Sequence, residues 1–248
     1  MKCVIVSDFH LKINEDKNDL ERRIRVESFL KSLLGKIDCL ILAGDIFDLW
    51  IEWEKVIIKS YFTILKTFSL LKDSGCRLVF LSGNHDFWLD DFLKNKIGFE
   101  IYDVYFQDYI NNKRVFVSHG DLFTKNDIRY QIYRKLVRLS VTRKLCQLLH
   151  PDLCLAIGQK MSRSSRERKN DNALIQVKEA GLLLKAKELS RDYDLIVFGH
   201  THNPVKIDLE KSVYINCGDW IKNSSYCYID SEKCELLNYT LFKDIREE

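Results

Sequence analysis

The 248 residues are 46% hydrophobic and 30% charged with only two prolines, which excludes a disordered or collagen-like chain and allows a sizeable core. No apolar run approaches the roughly 18 residues that a helix needs to cross a bilayer. The net charge of +3 hides an asymmetry: between Arg129 and Lys169, eleven Lys or Arg stand against Asp152 and Glu167, a net +9 that leaves −6 for the rest.

In chain order, strand-like runs recur at Lys2–Val6, Asp38–Leu42, Arg77–Leu81, Arg114–Ser118 and Asp194–Phe198. Each is rich in Val, Ile, Leu or Phe, as strands buried on both faces should be. The first starts the chain without a charged-then-apolar leader, so no export signal is expected. Helical spacing fills Leu20–Leu34 and Val56–Lys72, and this alternation predicts a layered α/β fold. The segment Asp127–Ser190 interrupts it. Ile128, Ile132, Leu136 and Leu139 form an apolar stripe that Leu145, Leu148 and Leu149 continue. Pro151, a basic Ser162–Lys169 stretch and a long helix near Asn172–Leu189 follow. Two or three short helices are expected here as a cap, about residues 127–170, within a single domain spanning 1–248. After Pro204, Val205–Leu209, Ser212–Asn216, Ser225–Ile229 and Cys234–Tyr239 look like short antiparallel strands, so helices should cover two facing sheets. The eight cysteines form no C-x-x-C pair and read as reduced, mostly buried thiols of a cytosolic protein.

Five of the six histidines fall in short blocks that end these apolar runs. The blocks are Asp8-Phe9-His10, Gly44-Asp45-Ile46-Phe47-Asp48, Gly83-Asn84-His85-Asp86, His119-Gly120-Asp121 and Gly199-His200-Thr201-His202. Strand ends are where α/β proteins place their chemistry. Asp8 and His10, two residues apart, can reach one metal. Asp45 carries two oxygens and can bridge two cations, after a Gly44 that permits close backbone approach. Asn84, His119 and His200 offer an amide oxygen and imidazole nitrogens to a second metal, and His202 can turn back to the first. Mixed N and O donors without thiolates suit Mn, Fe or Zn better than Ca or Mg.

The five blocks in this order resemble the calcineurin-like metallophosphoesterase family from Lys2 to about Ser225. The resemblance implies a four-layer α/β/β/α sandwich with two divalent metal ions, Mn2+ foremost, at the sheet ends. By it, Asp8, His10, Asp45 and His202 hold one ion, and Asp45, Asn84, His119 and His200 hold the other. A pair of cations about 3.5–4 Å apart lowers the pKa of a shared water and clamps the phosphoryl oxygens. His85 then faces the phosphate, where it can stabilise or protonate the leaving oxygen, and Asp48 orients its imidazole. Asp86 and Asp121 are expected to bond backbone or supporting groups.

Beside the motifs, Phe47, Trp50, Phe87, Trp88 and Leu89 read as packing or as the lining of an apolar channel. With His119–Arg129 and the stretch from Leu149 to Arg166, they resemble the branch of that family acting on a lipid-linked UDP-sugar in lipid A biosynthesis. That branch cleaves the pyrophosphate of UDP-2,3-diacylglucosamine at the cytoplasmic face of the inner membrane. The resemblance implies substrate contacts at Asn84, His85, Asp127, Tyr130, Arg163, Ser165, Arg166, Lys169 and His200. Some members carry Arg where His85 stands, so the Asp48–His85 pair speaks for the superfamily rather than this specificity. His150 is assigned to a cap turn. A soluble phosphoester substrate is the alternative within the same chemistry. Nucleic-acid processing by the basic cap is the alternative outside it, and the apolar stripe argues against a nucleic-acid partner. The oligomeric state stays open.

Overall fold

Strands form where both faces of a short run can be buried. The computed structural model describes residues 1–14, 16–89, 91–124, 128–167 and 172–240, with helical backbone alone at 128–130, 133, 162–167 and 172–174. Parallel strands β1 (Cys3–Val6), β2 (Cys39–Leu42), β3 (Arg77–Leu81) and β4 (Glu100–Tyr102) run side by side. The antiparallel hairpin of β10 (Ser225–Ile229) and β11 (Cys234–Asn238) pairs onto β1 and completes a six-stranded sheet. The second, five-stranded sheet has the order β5 (Tyr105–Ile110), β6 (Lys113–Ser118), β7 (Leu195–Phe198), β9 (Val213–Asn216), β8 (Val205–Asp208). Ile5, Ile41, Val79 and Leu81 face Val115, Val117, Val197 and Ile215 between the two sheets.

The alternate residues of the same strands look outward. Val4, Val6, Leu40 and Leu42 meet Phe29 and Leu30 of α1 (Lys17–Ser32) and Ile64 and Phe68 of α2 (Phe62–Asp73). Phe116, Ile196 and Phe198 meet Leu182 and Ala186 of α6 (Asn172–Leu189). Helix, sheet, sheet and helix therefore make the expected four layers. Each such side chain, fully buried, contributes about 1.5–3 kcal/mol.

Several local outcomes differ from expectation. β4 and β5 had no sequence assignment: β4 is three residues long, and β5 alternates buried and exposed positions at a sheet edge. The antiparallel reading of the last strands holds for β8–β9 and β10–β11, but β9 also lies parallel to β7. α2 begins at Phe62 rather than near Val56, because Tyr61 is buried and its hydroxyl donates to the carbonyls of Leu11 and Leu49. Between 127 and 170 stand α3 (Ile128–Val137), α4 (Ser140–Leu148) and α5 (Pro151–Glu167). Their apolar stripe is uncovered: Ile132, Leu136, Leu145 and Leu148 are 55–83% exposed. His150 sits exposed at the start of α5. All eight cysteines are free thiols, six of them buried. No helix among the described residues is long and apolar enough to cross a membrane.

Candidate metal centre

The loops that leave β1 and β2 stay side by side beyond the sheet. Asp8 N–H donates to the Gly44 carbonyl, His10 N–H to that of Asp45 and Leu11 N–H to that of Ile46. Arg22 and Arg23 of α1 brace them from outside by donating to the carbonyls of His10 and Lys12. Helix α1 is fixed for this by a capping box, in which Asp16 and Asp19 each accept the other's backbone N–H. Asp8, His10, Asp45, His200 and His202 all hold left-handed backbone, with φ between 45° and 71°. Such conformations cost of order 1–3 kcal/mol each for a residue with a Cβ and cluster at functional sites.

Each of two wholly buried carboxylates gives one oxygen to a neighbouring loop and turns the other inward. Asp8 Oδ2 accepts the His200 N–H at 3.0 Å, and Asp45 Oδ1 accepts the His85 N–H at 2.9 Å. Asp8 Oδ1 and Asp45 Oδ2 have no hydrogen-bond donor among the described residues. Imidazole nitrogens surround them instead. His10 Nε2 and His202 Nε2 each lie 3.4 Å from Asp8 Oδ1 and 3.3 Å from each other. Asp45 Oδ2 is 3.6 Å from His10 Nε2 and 3.5 Å from His119 Nε2. His119 Nε2 is in turn 3.1 Å from Asn84 Oδ1 and 3.3 Å from His200 Nδ1, which is 2.9 Å from that same amide oxygen.

Ligand atoms about 2.0–2.2 Å from a cation stand about 3.0–3.5 Å from one another. The observed separations lie in or next to that range. Two donor sets are thus drawn together: Asp8, His10 and His202 on one side, and Asn84, His119 and His200 on the other. Asp45 Oδ2 is common to both. All seven metal candidates named from the sequence meet here. The donors suit divalent cations, because two buried carboxylate oxygens otherwise lack partners.

The charges point the same way. Burial opposes ionisation of Asp8 and Asp45, but the surrounding imidazoles outweigh it. Asp8 is pulled down to about 2, and Asp45 sits well below the ordinary carboxylate range. Burial likewise opposes a charge on His10 and His119. The carboxylates of Asp48 and Asp8 outweigh it at His10, pushed up to about 9, and Asp45 outweighs it at His119, pushed up to about 10. The pocket holds negative charge that draws protons, and cations bind such a site by displacing them.

Supporting groups aim the ligands. His119 Nδ1 lies 2.9 Å from the Ala43 carbonyl, to which it donates, leaving Nε2 to face the pocket. His202 Nδ1 contacts Asp219 Oδ2 at 3.2 Å, and Asp219 is fastened by the N–H groups of Lys222 and Asn223. Asp86 accepts four backbone N–H groups, from Gly83, Asp45, Ile46 and Phe47, which ties the β2 and β3 loops together. A Cβ on Gly83 would meet Asp45 Oδ1 at 2.2 Å, so only glycine allows this approach. Sequence reading missed Asp219, although Gly218-Asp219 after β9 repeats the pattern of Gly44-Asp45 after β2.

His85 stands beside the donor sets, with Nε2 4.0 Å from Asp45 Oδ2 and its ring edge-on to His10 at 5.0 Å. Its Nδ1 lies 3.1 Å from the Asp48 carbonyl and 3.7 Å from Asp48 Oδ1. That carboxylate oxygen is also 3.8 Å from His10 Nδ1, so Asp48 stands between two imidazoles. Phe47 and Trp50 are core residues stacked on each other, whereas Phe87, Trp88 and Leu89 remain partly exposed. Asp127 and Lys169, and the side chains of Tyr130, Arg163, Ser165 and Arg166, lie outside the described residues.

The profile of the calcineurin-like phosphoesterase family matches residues 1–204, and the chain belongs to that family. It is a metal-dependent phosphoester hydrolase. A Porphyromonas gingivalis protein named UDP-2,3-diacylglucosamine hydrolase is 29% identical over 247 residues, covering 92% of this chain and 94% of the relative. A Haemophilus ducreyi protein of the same name is 27% identical over 242 residues, covering 96% and 100%. The structure of an archaeal phosphodiesterase matches with a TM-score of 0.52 at 18% identity over 96% of this chain and 98% of its own, a likeness of fold.

Proposed function

We propose that this protein hydrolyses the pyrophosphate of UDP-2,3-diacylglucosamine to UMP and 2,3-diacylglucosamine 1-phosphate, using two divalent cations, most suitably Mn2+. The observation that carries the chemistry is Asp45 Oδ2, shared by two sets of inward-facing donors. Asp8, His10, Asp45 and His202 are assigned to one ion, and Asp45, Asn84, His119 and His200 to the other. When bound, the pair supplies an activated water and neutralises charge at phosphorus. The chain's own part is to hold both carboxylates dry, to fix the His119 ring through Ala43 and the His202 ring through Asp219, and to present His85 to the phosphoryl group.

The lipid half of the reading rests on residues 127–170, taken as a helical cap within one domain. Val141, Leu145 and Leu148 of α4 follow one another at i, i+4 and i+7 and are 59–83% exposed. They stand within the segment that carries +9. Apolar helix faces with basic flanks suit acyl chains and an anionic bilayer surface. These features support a peripheral position on the cytoplasmic face of the inner membrane. Asp127, Tyr130, Arg163, Ser165, Arg166 and Lys169 are assigned to the sugar and phosphates, beside Asn84, His85 and His200. The names of the two relatives support the same substrate.

The direct test incubates the protein and Mn2+ with UDP-2,3-diacylglucosamine and, separately, with soluble phosphodiesters, and identifies the products by mass. UMP and the lipid phosphate are expected; cleavage of soluble esters alone would refute the lipid assignment. In a second experiment, serine replaces Val141, Leu145 and Leu148 together. Because each buried apolar side chain contributes about 1.5–3 kcal/mol, binding to vesicles of anionic phospholipid should weaken at least about 10-fold. Turnover of a small soluble ester should hold. Unchanged vesicle binding would remove α4 from the membrane surface.

A further inference from the structure

Surface helices ordinarily turn apolar residues inward and charged ones outward. Helix α3 departs from this at Ile132, Arg134 and Leu136. Ile132 and Leu136 are 56% and 55% exposed, while Arg134 of the helix and Arg138, the residue after its last turn, are drawn against the loops that leave the sheets. Arg134 Nε donates to Asp121 Oδ2 at 2.9 Å, and Asp121 is buried two residues beyond His119. Arg138 Nη2 donates to the Gly83 carbonyl at 3.0 Å, its Nη1 pairs with Asp103, and its guanidinium lies 5.2 Å from the centre of the Phe87 ring.

The Gly83 carbonyl belongs to the peptide unit that leads into Asn84. Asp86 Oδ1 accepts the Gly83 N–H at 3.0 Å, so Arg138 and Asp86 hold this glycine from its two sides. Little slack remains around it. The Cβ position of Gly83 is 2.2 Å from Asp45 Oδ1, and that of Gly44 is 2.8 Å from both Gly83 Cα and His119 Nδ1. A rotation of the Gly83–Asn84 peptide would therefore move Asn84 Oδ1 away from His119 and His200, or press on Asp45.

We propose that Arg138, assisted by Arg134, is a positioning residue: it fixes the Gly83–Asn84 peptide and thereby couples the seating of α3 to the donor set of Asn84, His119 and His200. The inference rests on the two-cation reading above. It makes one cation site, and not the other, depend on a helix that contributes no ligand. Apart from the shared Asp45, the site of Asp8, His10 and His202 is built from the β1 and β7 loops, which neither arginine touches among the contacts described.

The test titrates metal-free protein with Mn2+ alone, by calorimetry, and counts two binding events. Arg138→Met keeps an unbranched side chain but removes every donor. It should weaken one Mn2+ event about 10-fold or more, as loss of a group that orients a ligand does, and leave the other unchanged. Arg138→Lys restores a single donor to Gly83 and should recover most of that loss, which distinguishes positioning from bulk. With bis(p-nitrophenyl) phosphate as substrate, kcat should fall in Arg138→Met while KM stays put. Two unchanged Mn2+ events in Arg138→Met, or two that weaken in parallel with a drop in Tm that Lys does not rescue, would overturn the proposal alone. A wild-type protein that takes up fewer than two Mn2+ ions would overturn the two-cation reading and this inference together.

Discussion

Replacing His119 with alanine should reduce kcat by on the order of 10³-fold or more, taking the 10²–10³ measured for loss of one preorganised electrostatic partner as the floor. His119 is nearly inaccessible, at 1% exposure, and its Nε2 is within 3.5 Å of Asp45, Asn84 and His200 donor atoms at once. No water or neighbouring side chain can reproduce a nitrogen aimed from the Ala43 carbonyl side of the pocket. Metal analysis should show the bound Mn2+ falling from two ions to one. Asp8→Ala should give a comparable loss of turnover by emptying the other site, since Asp8 Oδ1 lies 3.4 Å from both His10 Nε2 and His202 Nε2. The fold should survive both changes. The four layers close through Ile5, Ile41, Val115 and Val197 rather than through the loops, so the far-ultraviolet spectrum and the melting temperature measured in chelator should stay near those of the parent protein. Full activity in either variant, with the protein folded, would sink the ligand assignment.

How far these ligands were legible in the sequence depends on where they lie. Strands β1, β2, β3, β6 and β7 are buried on both faces, so they read as unbroken apolar runs, and the blocks at their ends read as chemistry. β4 and β5 escaped because a three-residue strand and an alternating edge strand carry too little pattern. The hairpin between β5 and β6 was nonetheless written locally. Asn111 and Asn112 both take positive φ, the two-residue turn that Asn favours. The parallel pairing of β9 with β7 is set by contact between residues some 18 positions apart, Leu195 with Val213, which no local pattern records. Asp219 was legible in principle from Gly218-Asp219. Arg138 was not, because arginines that face inward in and just beyond a helix violate the rule by which a helix is read. The apolar stripe was seen, but a stripe alone does not say whether protein or lipid covers it; here its residues stand exposed.

His85 is the site residue whose role is separable from metal binding, and His85→Ala should show it by lowering kcat about 10²–10⁴-fold, the range for loss of a positioned acid or base, with KM changed by no more than about 3-fold. Its Nδ1 is 3.1 Å from the Asp48 carbonyl, which takes the N–H from that side and sets the tautomer. Nε2 is then the nitrogen directed at the pocket, 4.0 Å from Asp45 Oδ2 and so beyond the mutual spacing of the proposed ligand atoms. A phosphoryl oxygen held over Asp45 would lie within its reach. Because the ring adds nothing to either donor set, both Mn2+ ions should bind His85→Ala as they bind the parent. Asp48→Ala should behave as a weaker copy with one difference. Asp48 Oδ1 lies 3.8 Å from His10 Nδ1 as well, so this change should also loosen the ion assigned to His10. A rise in KM at constant kcat in His85→Ala would recast the residue as a substrate contact, and loss of a Mn2+ ion would make it a ligand.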